Sequence, residues 1–401
     1  MNCPRTLVCL AGAVLLALGA PIRSAERQQA SVPLALDHNR MTVPVEFRRA
    51  DGVSHVARAW VDSGGTSVSM SESLARALGI DLSTMPAGGD RSVETKTPVP
   101  AMSLGGVVLD TEGMNVSVTP GRFALAGVQA ECVLPARCLR RLHVVFDYPA
   151  RRLIVARPGL LTPRGTAVPC RINPETGLFM VETTIDGEKV ALGVDNGSAG
   201  TWVSDKLTAA WLARHPDWPR AVGAAGSTNF FGFPFETKGT LLCLPARSIG
   251  PLPVQEVAIL GLPQGLFDWY SKKSAAPVAG FLGAEVIARF RLEVDFPGKM
   301  SWWQPGRPPT IRDLDIVGLT LRAEYDGSFT VAGVVSREGR PVVPDVQAGD
   351  RLLRVDDLDA TAAPMGEVID ALRGAPGARR LLQLERAGKR ITVQATILRL
   401  P

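Results

Sequence analysis

Histidine is scarce in this sequence, whose 401 residues include only His38, His55, His143 and His215. No two of them have the spacing of metal ligands on one element, so we expect no hydrolytic zinc site and no metal cofactor. The net charge of +5 is mild for this length, and the sequence lacks a basic stripe interleaved with aromatic residues. These features argue against a nucleic-acid partner.

Long apolar runs are also absent, apart from Leu7–Ala20. Arg5 precedes this run and small residues follow it near Ala25, which is the layout of a secretory signal peptide over residues 1–25. The run is too short for a comfortable membrane span. An uncleaved anchor is the alternative, because Arg23 is unfavourable three residues before the cut. We expect export to the periplasm or envelope of a bacterium, with no stable membrane span after cleavage.

Cysteine is nearly as rare, and cleavage of the leader would leave Cys132, Cys138, Cys170 and Cys243. An even number in an oxidising compartment permits two disulfides. Proximity in sequence favours Cys132–Cys138, which leaves Cys170–Cys243 as the second pair. Simple buried thiols are the alternative.

Glycine and proline, in contrast, are abundant, with 40 and 31 residues. Between residues 31 and 305 they interrupt short alternating segments, which predicts a mainly β fold. The Pro-rich stretch QPGRPP (304–309) is typical of a linker. The last ninety residues contain strand patterns, one helix and a closing hairpin, which predicts a separate α+β domain over residues 310–401.

Two pairs of similar segments occur in the same order along the chain. VDSGGTSVSMSESL (61–74) matches VDNGSAGTWVSDKL (194–207), and VLPARCLRRLHVVFDYPARR (133–152) matches FLGAEVIARFRLEVDFPGKM (281–300). Repetition of both segments indicates a duplicated unit. We therefore predict one lobe over residues 31–158 and a second over residues 159–305, each with a strand, an acidic turn, a strand and a short helix.

The acidic turns place Asp62 and Asp195 between apolar strands. Gly64 and Gly197 allow the sharp turn that brings backbone amides near each carboxylate. If the two lobes face each other, the carboxyl groups meet, and two close carboxylates share one proton. Such a pair can activate a water molecule to hydrolyse a peptide bond without a metal. The alternative is that each Asp only caps its own turn.

Residues 31–305 resemble the pepsin/retropepsin-like aspartic proteases. VDSGGTSVSMSESLARALGI (61–80) is similar to the retropepsin-type motif with its helix, and GVDNGSAGTWVS (193–204) to the pepsin-type motif. Phe281-Leu282-Gly283 matches the segment that braces the second acidic loop. The resemblance implies that Asp62 and Asp195 are the catalytic pair.

The same resemblance implies roles for neighbouring residues. Ser63 would brace the two loops from below, and Ser198 would donate a hydrogen bond to the outer oxygen of Asp195. Three residues depart from the family pattern. Gly65 offers no side chain to Asp62, which leaves the two carboxylates in unequal surroundings. Asn196 replaces a Thr or Ser, and Pro135 replaces the bracing Gly of the first lobe.

The aromatic segment FFGFPF (230–235) lies in the part of the second lobe that corresponds to a covering hairpin of the first. Phe230, Phe231 and Phe233 either line a substrate cleft or pack as core, and the sequence does not favour one over the other.

The C-terminal residues resemble a PDZ domain of the kind appended to exported bacterial proteases. AGDRLLRVDD (348–357) is similar to a characteristic PDZ segment, with Asp357 where Gly is usual. MGEVIDALRG (365–374) would be the helix beside the peptide groove, and GLTL (318–321) would stand for the carboxylate-binding loop. The resemblance implies a peptide C-terminus or a protein partner at this domain. An unrelated small α+β domain is the alternative.

Together these features predict an exported aspartic endopeptidase that hydrolyses extended polypeptides and needs no cofactor. The alternative function is an inactive two-lobed protein that binds peptides in the cleft and at the PDZ-like domain. Ser63 and Ser198 favour the enzyme, whereas Asn196 and Pro135 favour the binding protein.

Overall fold

The computed structural model describes residues 27–83, 93–119, 127–274, 277–306 and 312–401. The predicted signal peptide, residues 1–25, lies outside these ranges. Within them, no helix combines the length and the apolar character needed to cross a bilayer. The prediction of a mainly β protein is confirmed.

Among the described residues, nine strands form an N-terminal sheet in the order β6-β9-β5-β10-β4-β3-β7-β8, with β2 paired to β3. The first strand of the chain, β1, belongs to the next sheet. A helix, α1, follows β5, and a 3₁₀ turn over Ala136–Leu139 follows β10. The bounds are β1 Gln29–Pro33, β2 Ala35–Asp37, β3 Arg40–Arg48, β4 Ser54–Asp62, β5 Val68–Ser71, α1 Glu72–Ala77, β6 Val93–Pro98, β7 Ala101–Leu104, β8 Val107–Val108, β9 Asn115–Thr119 and β10 Cys132–Pro135.

A second, longer sheet continues the chain, and three helices pack around it. Short 3₁₀ turns occupy Gly226–Thr228 and Glu236–Lys238 between two of its strands. The bounds are β11 His143–Asp147, β12 Arg152–Ala156, β13 Thr166–Ile172, β14 Phe179–Ile185, β15 Glu188–Asp195, β16 Thr201–Ser204, α2 Asp205–Arg214, β17 Arg220–Val222, β18 Thr240–Ile249, β19 Leu252–Leu262, α3 Gln264–Ser274, β20 Gly280–Gly283, α4 Ala284–Ile287, β21 Phe290–Asp295 and β22 Met300–Pro305.

The C-terminal residues, 312–401, form a third sheet with one helix, and we call them the C-terminal unit. Its main strands lie in the order β24-β25-β28-β30-β31, so β24 is an edge strand. The predicted helix and closing hairpin are present as α5 and β30–β31. The bounds are β23 Asp315–Ile316, β24 Leu319–Ala323, β25 Phe329–Val334, β26 Ser336–Arg337, β27 Arg340–Pro341, β28 Arg351–Val355, β29 Leu358–Asp359, α5 Met365–Leu372, β30 Arg379–Arg386, β31 Lys389–Thr396 and β32 Leu398–Arg399.

The long sheet connects the three parts of the chain. Its order is β1-β12-β11-β21-β22-β13-β14-β15-β20-β16-β19-β18-β17-β26-β27. Near one end of this sheet β11 pairs antiparallel with β21, and Val144 lies opposite Val294. These two strands belong to the matched segments 133–152 and 281–300. At the far end β26 of the C-terminal unit joins the sheet, where Ser336 pairs with Val222.

The strands around the two acidic turns pair in the same way. Near Asp62, β4 runs parallel to β10, β10 is antiparallel to β5, and β5 is parallel to β9. Near Asp195, β15 runs parallel to β20, β20 is antiparallel to β16, and β16 is parallel to β19. Each sheet is followed by a helix with a serine N-cap, Ser71 for α1 and Ser204 for α2. Each serine hydroxyl accepts a hydrogen bond from a backbone amide of its helix. The two turns therefore occupy equivalent positions in their sheets.

A cluster of buried apolar side chains joins the C-terminal unit to both sheets. It includes Trp60 of β4, Trp202 of β16, and Leu321 and Met365 of the C-terminal unit. Burying an apolar side chain of this size stabilises the fold by roughly 1.5–3 kcal/mol. The C-terminal unit is thus packed against both sheets.

The predicted disulfides are wrong, because all four cysteines are free thiols. Cys132 lies in β10 opposite Met70, and Cys138 lies in the following turn with its Sγ 3.9 Å from Sδ of Met114. Burial raises the pKa of the Cys170 thiol to about 12. The alternative of buried thiols describes these residues correctly, with Cys243 partly exposed.

Candidate active site

The two acidic turns lie face to face. Asp62 ends β4 and Asp195 ends β15, at the point where the N-terminal sheet meets the long sheet. The amide of Gly64 donates to Oδ1 of Asp62 at 3.1 Å and to Oδ1 of Asp195 at 3.0 Å. The two carboxyl groups are also close enough to interact directly with each other. The structure thus brings together the two residues that the sequence analysis paired.

Glycines make this approach possible. A Cβ on Gly64 would lie 2.5 Å from Oδ2 of Asp195, and a Cβ on Gly197 would be closer still to Oδ1 of Asp62. A Cβ on Gly65 would lie 2.6 Å from Oδ2 of Asp62. A Cβ cannot approach an oxygen atom so closely, so glycine is required at all three positions. Gly64 and Gly197 let each turn close over the carboxylate of the other turn, and Gly65 leaves room for the carboxylate of its own turn.

Ser63 and Asn196 connect the two turns beneath the carboxyl groups. The Ser63 hydroxyl donates to the Val194 carbonyl at 2.9 Å and accepts from the backbone amide of Asn196 at 3.0 Å. In return, the Ser63 amide donates to Oδ1 of Asn196 at 3.1 Å. Both side chains are buried. Asn196, a departure from the family pattern, therefore takes part in the brace through its carboxamide.

Ser198 does not have the role that the resemblance implied. Its hydroxyl donates to the Gly200 carbonyl at 2.7 Å. Its backbone amide, together with those of Gly197 and Gly64, stabilises the Asp195 carboxylate. The expected bond from Ser198 Oγ to Asp195 is therefore replaced by a bond from the backbone.

Gly283 and Pro135 occupy matching positions in the strands beside the two aspartates. Gly283 pairs with Asp195, and its amide donates to Oγ1 of Thr201 at 3.2 Å. Pro135 pairs with Asp62 and has no amide proton to donate. The residue that matches Thr201 in the first repeat is Val68, which has no hydroxyl. The proline therefore leaves no polar partner unsatisfied at this position.

The carboxyl groups differ in their electrostatic surroundings. Burial, followed by the charge of Asp195, raises the pKa of Asp62 well above its ordinary value, while the amides of Gly65 and Gly64 oppose the shift. Burial also raises the pKa of Asp195, but amides of Gly197, Gly64 and Ser198 and the bond from Asp62 oppose it. Two carboxyl groups this close cannot easily both ionise, so the pair shares one proton.

Two tyrosines near the carboxyl groups were missed by sequence reasoning. Tyr148 follows β11, is buried, and lies beside Asp195 and the Asn196 carboxamide, although no described group completes a well-aligned hydrogen bond with its hydroxyl. Burial raises the pKa of this phenol, and the charge of Asp195 adds to the shift. The only sequence signal is that Tyr148 takes the place of Phe296 in the matched segment.

Tyr270 approaches the carboxyl groups from α3. Burial raises the pKa of its phenol, with further contributions from the charges of Asp195 and Asp62. Its ring meets Phe281 edge to face, with 4.6 Å between ring centroids. Among the described residues of the first repeat, no helix is equivalent to α3, so comparison of the repeats does not identify Tyr270.

The three phenylalanines proposed for the cleft differ in exposure. Phe230 is buried, and its ring centroid lies 4.7 Å from that of Trp202 and 6.2 Å from that of Trp60. Phe231 is half-buried, and Phe233 is 39% exposed. Phe230 is thus part of the core between the sheets, and only Phe233 presents much of its ring to solvent.

No family model matches this chain, and no curated protein is detectably similar to it in sequence. Among solved structures, it is similar to the crystal structure of the aspartic proteinase from Irpex lacteus. The two are 13% identical with a TM-score of 0.40, and the match covers 71% of this chain and 99% of that chain. Similarity this distant carries no argument about function, which rests on the geometry of the two turns.

Proposed function

We propose that the chain is an aspartic-type endopeptidase that uses Asp62 and Asp195 to hydrolyse peptide bonds. The observation that carries the proposal is the single amide of Gly64, which donates to both carboxylates. A shared donor keeps the two groups close enough to hold one proton and one water molecule between them. No cofactor takes part in this chemistry.

The unequal surroundings of the pair assign its roles. The Asp195 carboxylate takes a proton from water while the water oxygen attacks the peptide carbonyl carbon, and Asp62 gives its proton to the carbonyl oxygen. The product is a neutral diol. The C–N bond then breaks as the leaving nitrogen takes the proton from Asp195, and a diol hydroxyl returns a proton to Asp62. The pair is thereby restored.

The repeated strand pairing supports a two-lobed architecture that arose by duplication. Each acidic turn follows a strand that runs parallel to the strand carrying Pro135 or Gly283. The substrate of such an enzyme would be an extended polypeptide that binds over the carboxyl groups between the two lobes. Tyr270 is a candidate to contact it, because the charges of both aspartates act on its phenol.

The alternative of an inactive peptide-binding protein rested on Asn196 and Pro135. The brace is kept by the Asn196 carboxamide. Val68, the residue that matches Thr201, has no hydroxyl that would need a donor from position 135. Neither departure removes a bond that the carboxyl groups need, so we favour the enzyme. Export to the periplasm and a peptide or protein partner at a PDZ-like C-terminal unit stay predictions.

The proposal is tested by cleavage of an unfolded protein between pH 3 and 7. Asp62→Asn and Asp195→Asn should each lower the rate by about 100-fold or more, because each removes one partner of the proton transfer. Asp81→Asn is a matched control, since Asp81 is exposed and accepts bonds from the amide and the hydroxyl of Ser83. Equal cleavage by the wild type and both dyad variants would exclude this mechanism and leave the binding function.

A further inference from the structure

The edge strand of the C-terminal unit is occupied by a side chain from another part of the protein. Nδ2 of Asn229 donates to the Leu321 carbonyl at 2.8 Å, and Oδ1 accepts from the Leu321 amide at 2.7 Å. Asn229 is completely buried. Its carboxamide thus satisfies both backbone groups of Leu321 in β24, as a peptide group of an added strand would.

Residues near the N-terminal sheet contact β24 and α5. Gly127 has a φ of +67°, and a Cβ at this position would lie 2.9 Å from Cβ of Met365 and 3.3 Å from Cβ of Ala323. At the start of α5, the Gly366 amide donates to Oδ1 of Asp37 at 2.6 Å. The C-terminal unit is therefore in contact with both sheets that carry the acidic turns.

The loop that carries Asn229 also reaches toward the carboxyl groups. The next residue, Phe230, packs against Trp202 of the long sheet and Trp60 of the N-terminal sheet. Trp60 lies two residues before Asp62 on β4. A displacement of this loop would therefore disturb Trp60, in the strand that ends at Asp62, and Trp202, in the strand that follows Asp195.

The loop is also internally rigid. The buried carboxylate of Glu236 accepts bonds from the amides of Phe230, Phe231, Gly232 and Phe233, at 2.9 to 3.2 Å. Four amides fixed on one carboxylate give the segment a single conformation, so Asn229 and Phe230 move together.

We propose that the C-terminal unit is an internal clamp that holds the N-terminal sheet and the long sheet in the arrangement in which Asp62 and Asp195 meet. Asn229 is the positioning residue through which β24 fixes Phe230 between the two tryptophans. The clamp concerns the arrangement of the carboxyl groups; only its effect on cleavage rests on the proposed function.

Three variants of the full chain test the clamp. Asn229→Ala removes both bonds to Leu321. Thr320→Val is milder, because it removes one bond, from Oγ1 of the buried Thr320 to the Ala224 carbonyl at 2.7 Å. Thr95→Val is the matched control, since it removes a similar bond from a buried threonine to the Val116 carbonyl at 3.0 Å within the N-terminal sheet.

The measurement is hydrogen exchange of backbone amides followed by mass spectrometry. Asn229→Ala should speed exchange in residues 62–65 and 194–198 by about tenfold or more, because two buried backbone groups lose their partners. Thr320→Val should speed exchange in the same segments to a smaller extent. Thr95→Val should leave both segments at the wild-type rate.

The clamp is excluded if exchange rises only in residues 319–323 and 224–236 while the two acidic turns keep their wild-type rates. If Asn229→Ala does not fold, Thr320→Val decides by the same comparison. Where the wild type cleaves protein, Asn229→Ala should also alter the acid limb of the pH profile. If the wild type cleaves nothing, the proposed function fails, but the exchange rates still decide the clamp.

Discussion

Ser63 and Asn196 are joined by two reciprocal hydrogen bonds across the meeting point of the two sheets, one from each backbone amide to the side chain of the other residue. Both side chains are buried, so neither bond competes with water. The pair fixes the distance between the turns that carry Asp62 and Asp195. The brace thus consists of a serine and an asparagine that are chemically different but geometrically equivalent.

Ser63→Ala should destabilise the protein by about 2 kcal/mol or more, because the Val194 carbonyl and the Asn196 amide each lose a buried partner. Asn196→Ala should also destabilise it, whereas Asn196→Thr should cost less, since a hydroxyl can accept from the Ser63 amide. Chemical denaturation of the four proteins measures the differences. A Ser63→Ala variant as stable as wild type would show that the brace contributes nothing.

Gly64→Ala and Gly197→Ala should abolish the close approach of the carboxyl groups, because each added Cβ would overlap an aspartate of the opposite turn. Cleavage should fall by about 100-fold or more, with the fold retained. Gly265→Ala in α3 is the control, since a Cβ there meets nothing within 4 Å. Full activity in either turn variant would contradict the close packing of the turns.

The stability of the folded state should depend on the protonation of Asp62. Its folded pKa is raised, so the native state binds more protons than the unfolded chain, and stability falls as pH rises from about 4. Asp62→Asn removes this fall. The variant should therefore gain stability over wild type at neutral pH and lose that advantage below about pH 4, as denaturation at several pH values would measure.

His38 should produce the opposite pH dependence. Burial lowers its pKa well below the ordinary value, helped by the charges of Arg40 and Arg373. Its Nε2 faces the Gly226 carbonyl at 3.0 Å and its Nδ1 faces Nη2 of Arg40 at 3.3 Å, which fits a neutral ring protonated at Nε2. The unfolded chain binds the extra proton, so stability is present above about pH 6.5 and is lost as pH falls below it.

His38→Gln tests this dependence. At pH 7.5 the variant should be less stable than wild type, because a buried side chain loses its partners. The difference should shrink as pH falls to about 5, since glutamine does not charge. A constant difference over that range would mean that His38 does not titrate on unfolding.

The local pattern of the sequence was sufficient to locate both acidic turns. An Asp followed by small residues and two glycines has few other conformations between apolar strands, and the repetition of the pattern identified the partner. The bracing position of Ser63 followed from the resemblance of its motif to the family, and its hydrogen bonds to Val194 and Asn196 agree with it. The mainly β fold also followed from short alternating segments, because strand periodicity is local information.

Contacts between distant segments were not predictable in this way. Asn229 and Leu321 are 92 residues apart, and nothing near Asn229 marks it as a partner for a backbone edge. The bond expected of Ser198 went to a nearer carbonyl, and the cysteines expected to pair face different neighbours. Tyr270 belongs to α3, which has no equivalent among the described residues of the first repeat. These features depend on how the sheets pack, which no local pattern encodes.

The shared proton of Asp62 and Asp195 is tested most directly by a carbon-13 NMR titration of the aspartate carboxyl groups in the folded protein. We predict two titration steps that both belong to the pair, with the upper step well above the ordinary aspartate pKa. In Asp62→Asn the upper step should disappear, leaving one step for Asp195. Two independent titrations near the ordinary aspartate pKa of about 4 would contradict a shared proton, and with it the proposed hydrolysis.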